Sequence, residues 1–253
     1  MNQEERRQEI KRLLQSRHQL STRELARHFG ISFDTARRDI IHLTRTGQAV
    51  RVHGGVMELA KDDVPAYLAR QHILSPVKLE LAKVAAHFVH AGQCDFIGPS
   101  TSLEQLCRQI QGRDLHVVTN SIDNALALLA HPLPRATLLG GTLEKRNRYT
   151  YSAAALTQVS QLRFNTAFIG CVRVDPDGVY LSEEEDANLI RMAVARARTV
   201  VLLAEKYKFS SQLTAPYLVA PLEQIDVVIT DEPMDPQTRQ GFKKTVQILS
   251  IAK

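Results

Sequence analysis

Two adjacent arginines, Arg37 and Arg38, lie inside ISFDTARRDIIHL, residues 31–43. A guanidinium presents several donors in a planar fork, a shape that suits a guanine edge or a phosphate. Ser32, Thr35 and His42 share the segment, and Arg51 and His53 follow in RVHGG. A second set of residues suits a small anion. Ser100, Thr101 and Ser102 open a helical pattern, where hydroxyls and free backbone N–H groups seat a phosphate. Asn120-Ser121 and Gly140-Gly141 each follow a short apolar run, and Lys208 adds a point charge. The acidic run Glu183–Asp186 reads as a complement to a helix dipole, with Ser182 and Glu185 as a capping box. Isomerisation by proton transfer needs a base near a C–H and a donor for the enediolate oxygen, and no such pair stands out. His87 and His90, three apart, lack a third ligand, so no metal site and no cofactor are expected.

The elements that carry the arginines are short helices. Ile10, Leu13 and Leu14 repeat at helical spacing in EERRQEIKRLLQS. After a link, RHQL, Ser21 and Glu24 form a capping box for a helix with Leu25, Ala26 and Phe29 on its apolar face, and Gly30 ends it. Ser32 caps the next helix, in which Ala36, Ile40 and Leu43 line one side while Asp39 is placed to pair with neighbouring arginines. Gly47 closes that helix, and QAVRVHGGVM turns like a hairpin around Gly54 and Gly55. Three helices and a hairpin make a winged helix-turn-helix over residues 1–57.

Charge supports this division. Residues 1–57 hold 11 Lys and Arg against 6 Asp and Glu, while the remaining 21 of each cancel, so the net +5 resides in the first quarter. Such asymmetry points to a polyanion partner for that segment. Residues 58–75 read as a linker of mixed charge. Three dispersed cysteines, Cys94, Cys107 and Cys171, describe no disulfide scaffold. With no secretory leader and no membrane-length apolar run, a cytoplasmic protein without membrane association is expected.

From residue 76 onward the rhythm changes. PVKLELAKVAAHFVHAG is a helical pattern with Pro76 near its start and Gly92 after it. CDFIG, LHVVT, ATLLG, TAFIG, TVVLLA and QIDVVIT then alternate with helical stretches, the signature of a parallel sheet under helical cover in residues 76–253. The final QGFKKTVQILSIAK is open between helix and strand.

Leu25-Ala26, Phe29, Ser32, Thr35, Arg37-Arg38-Asp39 and Arg51-Val52-His53-Gly54-Gly55 resemble the N-terminal hallmark of the DeoR family of bacterial transcription regulators. Ala36 stands at the family's usual isoleucine, and Val52 is inserted between Arg and His. The resemblance continues through Val118-Thr119-Asn120-Ser121, Leu139-Gly140-Gly141, Ala167-Phe168-Ile169-Gly170, Lys208-Phe209 and Ile229-Thr230-Asp231. It implies an α/β fold: a winged helix-turn-helix joined to a mostly parallel, Rossmann-like domain that is similar to ribose-5-phosphate isomerase and is kept as a sensor.

The resemblance further implies a repressor of a sugar-catabolic operon, relieved by a phosphorylated sugar. Its partners would be double-stranded operator DNA and further copies of the chain, as a homodimer or homotetramer. Ser32, Thr35, Arg37, Arg38, His42, Arg51 and His53 would meet DNA. Ser100, Thr101, Ser102, Asn120, Ser121, Gly140, Gly141 and Lys208 would meet the effector. An isomerase-like enzyme with an accessory DNA-binding arm is the alternative. The chain departs from the family pattern at Gly98 and Ser100, at Ser152, at Ile190 in place of a lysine, and at Glu205 in place of aspartate. Losing a carboxylate and an ammonium from one pocket changes which ligand fits.

Overall fold

The computed structural model describes residues 2–45, 49–52, 54–58, 76–209 and 213–251. The chain divides into two compact units, Met1–Leu74 and Ser75–Lys253.

The first unit begins with α1 (Gln3–Arg17), started by an Asn2–Glu5 capping box. A short β1 (Gln19–Ser21) leads to α2 (Thr22–Phe29), where the Ser21–Glu24 box forms as expected and Gly30 ends the helix at φ 61°. In α3 (Phe33–Arg45) the Ser32 hydroxyl accepts from Thr35 N at 3.1 Å. Strands β2 (Ala49–Val52) and β3 (Gly55–Glu58) form the hairpin. Ile10, Leu14, Leu20, Leu25, Ala36, Ile40, Leu43, Ala49 and Val56 fill the core.

Three details differ from expectation or fall outside the description. The RHQL link contains β1, which pairs antiparallel with β3 and makes a three-stranded sheet. Only Leu20 of β1 points inward, too few residues to show a period of two. Asp39 pairs with Arg6 (2.6 Å) and Arg7 (3.3 Å) of α1, not with its sequence neighbours, because its side of α3 faces the core. Gly47, His53 and residues 59–75, most of the expected linker, lie outside the described residues.

The second unit is built on a seven-stranded sheet in the order β15-β14-β12-β9-β4-β5-β6. Its strands are β4 (Cys94–Ile97), β5 (His116–Thr119), β6 (Arg135–Leu138), β9 (Phe164–Ile169), β12 (Ala197–Leu203), β14 (Val227–Thr230) and β15 (Gln247–Ser250), parallel throughout. The segment left open at the end of the chain thus supplies β15. Helices α4 (Pro76–Ala85), α5 (Thr101–Gln109), α6 (Ile122–Leu128), α7 (Ala153–Gln161) and α8 (Glu184–Arg196) alternate with the strands. Near-continuous apolar strands such as Val227–Thr230, buried at every position, are what a sheet covered on both faces requires.

The sequence did not disclose the hairpin β7 (Thr142–Glu144) and β8 (Tyr149–Tyr151), or the small sheet of β10 (Arg173–Asp175), β11 (Gly178–Leu181) and β13 (Tyr217–Ala220). Two local readings need correction. Glu183 is the N-cap of α8 and makes no side-chain cap bond, so Ser182 and Glu185 do not form a box. The helix carrying His87 gives way at Ala86–Phe88 to a 3-10 turn, which leaves His90 beyond the helix.

From β4 the chain fills the sheet toward β6 on one side, and from β9 toward β15 on the other. The switch of direction falls between β4 and β9, where an open parallel sheet leaves a crevice beyond its carboxyl ends.

Candidate groove-reading helix and ligand crevice

Burial divides α3 into two faces. Ala36, Asp39, Ile40 and Leu43 are buried, whereas Ser32, Phe33, Asp34, Arg37 and Arg38 are exposed. Phe33, a large apolar side chain, is 50% exposed beside them. Thr35 is half-buried, and its hydroxyl lies 2.8 Å from that of Ser32. His42 is half-buried. Arg51 stands in β2 opposite Val56 of β3. The helix is held from behind by the carboxylate of Asp39 gripping α1. It therefore offers a rigid convex edge with two guanidinium groups near its start.

At the switch point, Ser100 is the N-cap of α5 and accepts from Ser102 N at 3.2 Å. Thr101 and Ser102 are buried in the first turn. A Cβ on Gly170, which follows β9, would lie 2.9 Å from Ser100 Cβ and 3.0 Å from its hydroxyl, so the two strand ends touch here only because Gly170 has no side chain. Next in the chain is Cys171, whose thiol burial pushes up to about 12 while the nearby Lys208 ammonium pulls it down. Lys208 occupies a 3-10 turn, Lys206–Phe209, with its ammonium 4.6 Å from the centre of the Tyr207 ring. Ser100 and Gly170 thus meet where β4 and β9 end, and the Cys171 thiol beside them feels both the Lys208 ammonium and the Glu205 carboxylate.

Asn124 of α6 was not singled out from sequence. Its amide donates to Ile97 O (3.2 Å), Gly98 O (2.9 Å) and Thr119 Oγ1 (3.1 Å), binding the ends of β4 and β5 together. Thr119 in turn donates to Ile97 O at 2.6 Å. Ser121 is fully buried and caps α6, accepting from Asn124 N at 3.2 Å. Gly141, at φ 143°, packs so tightly that a Cβ would sit 2.1 Å from Tyr151 O, while Gly140 O accepts from the Ser152 hydroxyl at 2.9 Å. Ser121 and the two glycines shape the rim through backbone and cap bonds.

Asn120 follows β5 and is completely buried. Its Nδ2 donates to Asp186 Oδ1 at 3.0 Å, and its Oδ1 has no hydrogen-bond partner. Asp186 begins α8, and one turn later Ile190 reaches over Gly98, with its Cδ1 3.4 Å from where a Cβ would stand. The Tyr149 hydroxyl is held far above the ordinary tyrosine range, by burial first and then by Asp186, Glu183, Glu185 and Glu144. This side of the crevice is acidic. Asn120 and the Glu183–Asp186 run were legible in the sequence, but their pairing was not, because Asp186 meets Asn120 across 66 positions and leaves no local spacing to detect.

Among the described residues, no group of three or more His, Cys, Asp and Glu could hold a metal ion. Nor is any helix among them long and apolar enough to cross a membrane. The three cysteines are free thiols.

The two units together define a winged helix-turn-helix protein that carries a parallel α/β domain. Residues 6–61 match the DeoR-like helix-turn-helix domain, and residues 75–232 match the DeoR C terminal sensor domain. The chain is 31% identical over 232 residues to the HTH-type transcriptional repressor GlcR of Bacillus subtilis (strain 168), covering 91% of this chain and 89% of that one. It is 27% identical over 235 residues to the glycerol-3-phosphate regulon repressor of Escherichia coli (strain K12), covering 92% of each. The chain belongs to the DeoR family of transcription regulators. It also aligns with ribose 5-phosphate isomerase A from Neisseria gonorrhoeae at a TM-score of 0.38 and 14% identity, over 55% of this chain and 53% of that one, about half its length.

Proposed function

We propose that the chain represses a sugar-catabolic operon by inserting α3 into the major groove of its operator, and that a phosphorylated sugar releases it. The observation that carries this reading is the division of α3: Arg37 and Arg38 exposed on one face, and Asp39 locked to α1 on the other. A major groove admits such a helix, and residues near its start reach base edges first. Ser32 and Thr35 stand at that start, and His42, Arg51 and His53 are assigned to flanking contacts. Two relatives named as repressors, GlcR and the glycerol-3-phosphate regulon repressor, align over nine-tenths of this chain. Helix-turn-helix proteins read paired half-sites, so the working form is a homodimer or homotetramer.

The effector's phosphate is assigned to the start of α5, at Ser100, Thr101 and Ser102, with Lys208 on the adjoining wall. Asn120 reads the body of the sugar, while Ser121, Gly140 and Gly141 hold the rim. Fluorescence anisotropy with a duplex taken from upstream of the chain's own gene tests the reading. Binding should exceed that to a scrambled duplex by at least tenfold and fall on addition of one sugar phosphate. Equal binding to both duplexes refutes it.

A further inference from the structure

Among the described residues, five large apolar side chains are exposed, and one of them, Phe33, belongs to the first unit. It opens α3, directly after Ser32, whose hydroxyl caps the helix. The core of the unit is closed without it: Phe29 and Ile31 pack against that core, and Phe33 does not. A ring left half in water gives the fold little, since hydrophobic stabilisation follows the area removed from water. One exposed apolar residue is ordinary on a protein surface. What sets Phe33 apart is its place. Its neighbours on the exposed strip of α3 are Asp34 beside it and Arg37 and Arg38 one turn further on.

In the major groove the base edges present hydrogen-bond donors and acceptors and one apolar feature, the methyl group of thymine. A phenyl ring has no donor and no acceptor to exchange with the polar edges. Set against a guanine or a cytosine edge, it would strip water from a polar group and return no hydrogen bond. Set against the thymine methyl, it takes apolar area out of water on both partners. Phe33 and Arg37 stand four residues apart on one helix face, a rise of about 6 Å. That is less than two base-pair steps of about 3.4 Å each. The ring and the guanidinium therefore address the same or adjoining base pairs, one suited to a methyl and the other to a hydrogen-bonding edge.

Resting on the reading that α3 enters the major groove of an operator, we propose that Phe33 is a specificity-determining residue that reads the methyl group of an operator thymine.

Uracil pairs as thymine does and lacks only that methyl, so it isolates the contact. Fluorescence anisotropy of the full chain compares the duplex from upstream of its own gene, made with thymine and with uracil in its place, and a scrambled duplex. Salt is held constant at a level where the variants still bind. The thymine duplex should bind roughly fourfold tighter than the uracil duplex for each half-site, the worth of one methyl removed from water. Phe33→Ala should lower that ratio to near one, and Phe33→Leu, which keeps an apolar end, should restore part of it. Phe33 lies outside the core, so both variants should keep the amide exchange protection of residues 33–45. A parent chain indifferent to uracil overturns the assignment, as does a Phe33→Ala variant that is as sensitive as the parent. Either result leaves the operator reading intact. Equal binding of the parent to the thymine and scrambled duplexes refutes the operator reading itself, and the assignment falls with it.

Discussion

Asp39 is the residue of the Arg37-Arg38-Asp39 run that does not face outward, and Asp39→Ala isolates what it does. Its carboxylate is inaccessible to solvent and accepts from Arg6 Nε at 2.6 Å and Arg7 Nε at 3.3 Å. Removing it leaves two largely buried guanidinium groups of α1 without their counter-charge. Loss of one partner from a buried pair costs about 3–5 kcal/mol. Arg7 retains a looser contact with Glu4 at 3.9 Å, which favours the lower figure. Among the described residues, the first unit's core holds nine buried apolar residues. Small domains hold about 5 kcal/mol in total, so about 3 kcal/mol removes most of the unit's stability, more than a hundredfold in its folding equilibrium.

The chain has no Trp, so amide hydrogen exchange read by mass spectrometry is the suitable assay. Peptides from residues 3–45 should lose protection in the variant while those from the α/β unit keep theirs. Asp39→Asn, which retains an acceptor oxygen, should lose less. Unchanged protection of residues 33–45 in Asp39→Ala would refute the clamp.

Further expectations concern both units. Arg38→Ala should weaken operator binding roughly tenfold or more, the scale of one lost guanidinium–base contact, with exchange protection of the α/β unit unaltered. Gly55→Ala would place a Cβ 2.2 Å from Leu20 O, so β1 should detach from β3 and the first unit's thermal transition should fall or vanish in scanning calorimetry. Asp95 is fully buried in β4; burial raises its carboxyl from 3.8 to about 7, against the lowering effect of the Thr166 N–H. Its folded pKa exceeds its unfolded one, so its contribution is fully present below about pH 3.8, declines as pH climbs, and is lost above about 7. At 1.36 kcal/mol per unit that is up to about 4 kcal/mol. Urea titrations at several pH values should show this slope in the parent α/β unit and its loss in Asp95→Asn.

What the sequence disclosed was local. Ser21 and Glu24 sit three apart and cap each other; Gly30 takes the left-handed conformation just where the apolar spacing of α2 stops. The parallel sheet announced itself because strands buried on both faces must be apolar at nearly every position. Distant pairings stayed hidden. Asp39 finds Arg6 across 33 positions and Asn120 finds Asp186 across 66, and no periodicity encodes such a meeting. The three-residue strands β1, β7 and β8 are shorter than any repeat that could reveal them. At Ser182 a sequence pattern overstated itself, since a Ser-x-x-Glu spacing permits a cap but backbone geometry gave the position to Glu183.

The amide of Asn124, shared among three acceptors on two strand ends, makes one wall of the crevice a fixed jaw. Beyond the pairing of β4 with β9, Ser100 closes on a bare glycine, Gly170. For the effector proposed above, such a frame would present a gap already set, and exchanges on α8 would alter its chemistry while the gap itself stayed the same.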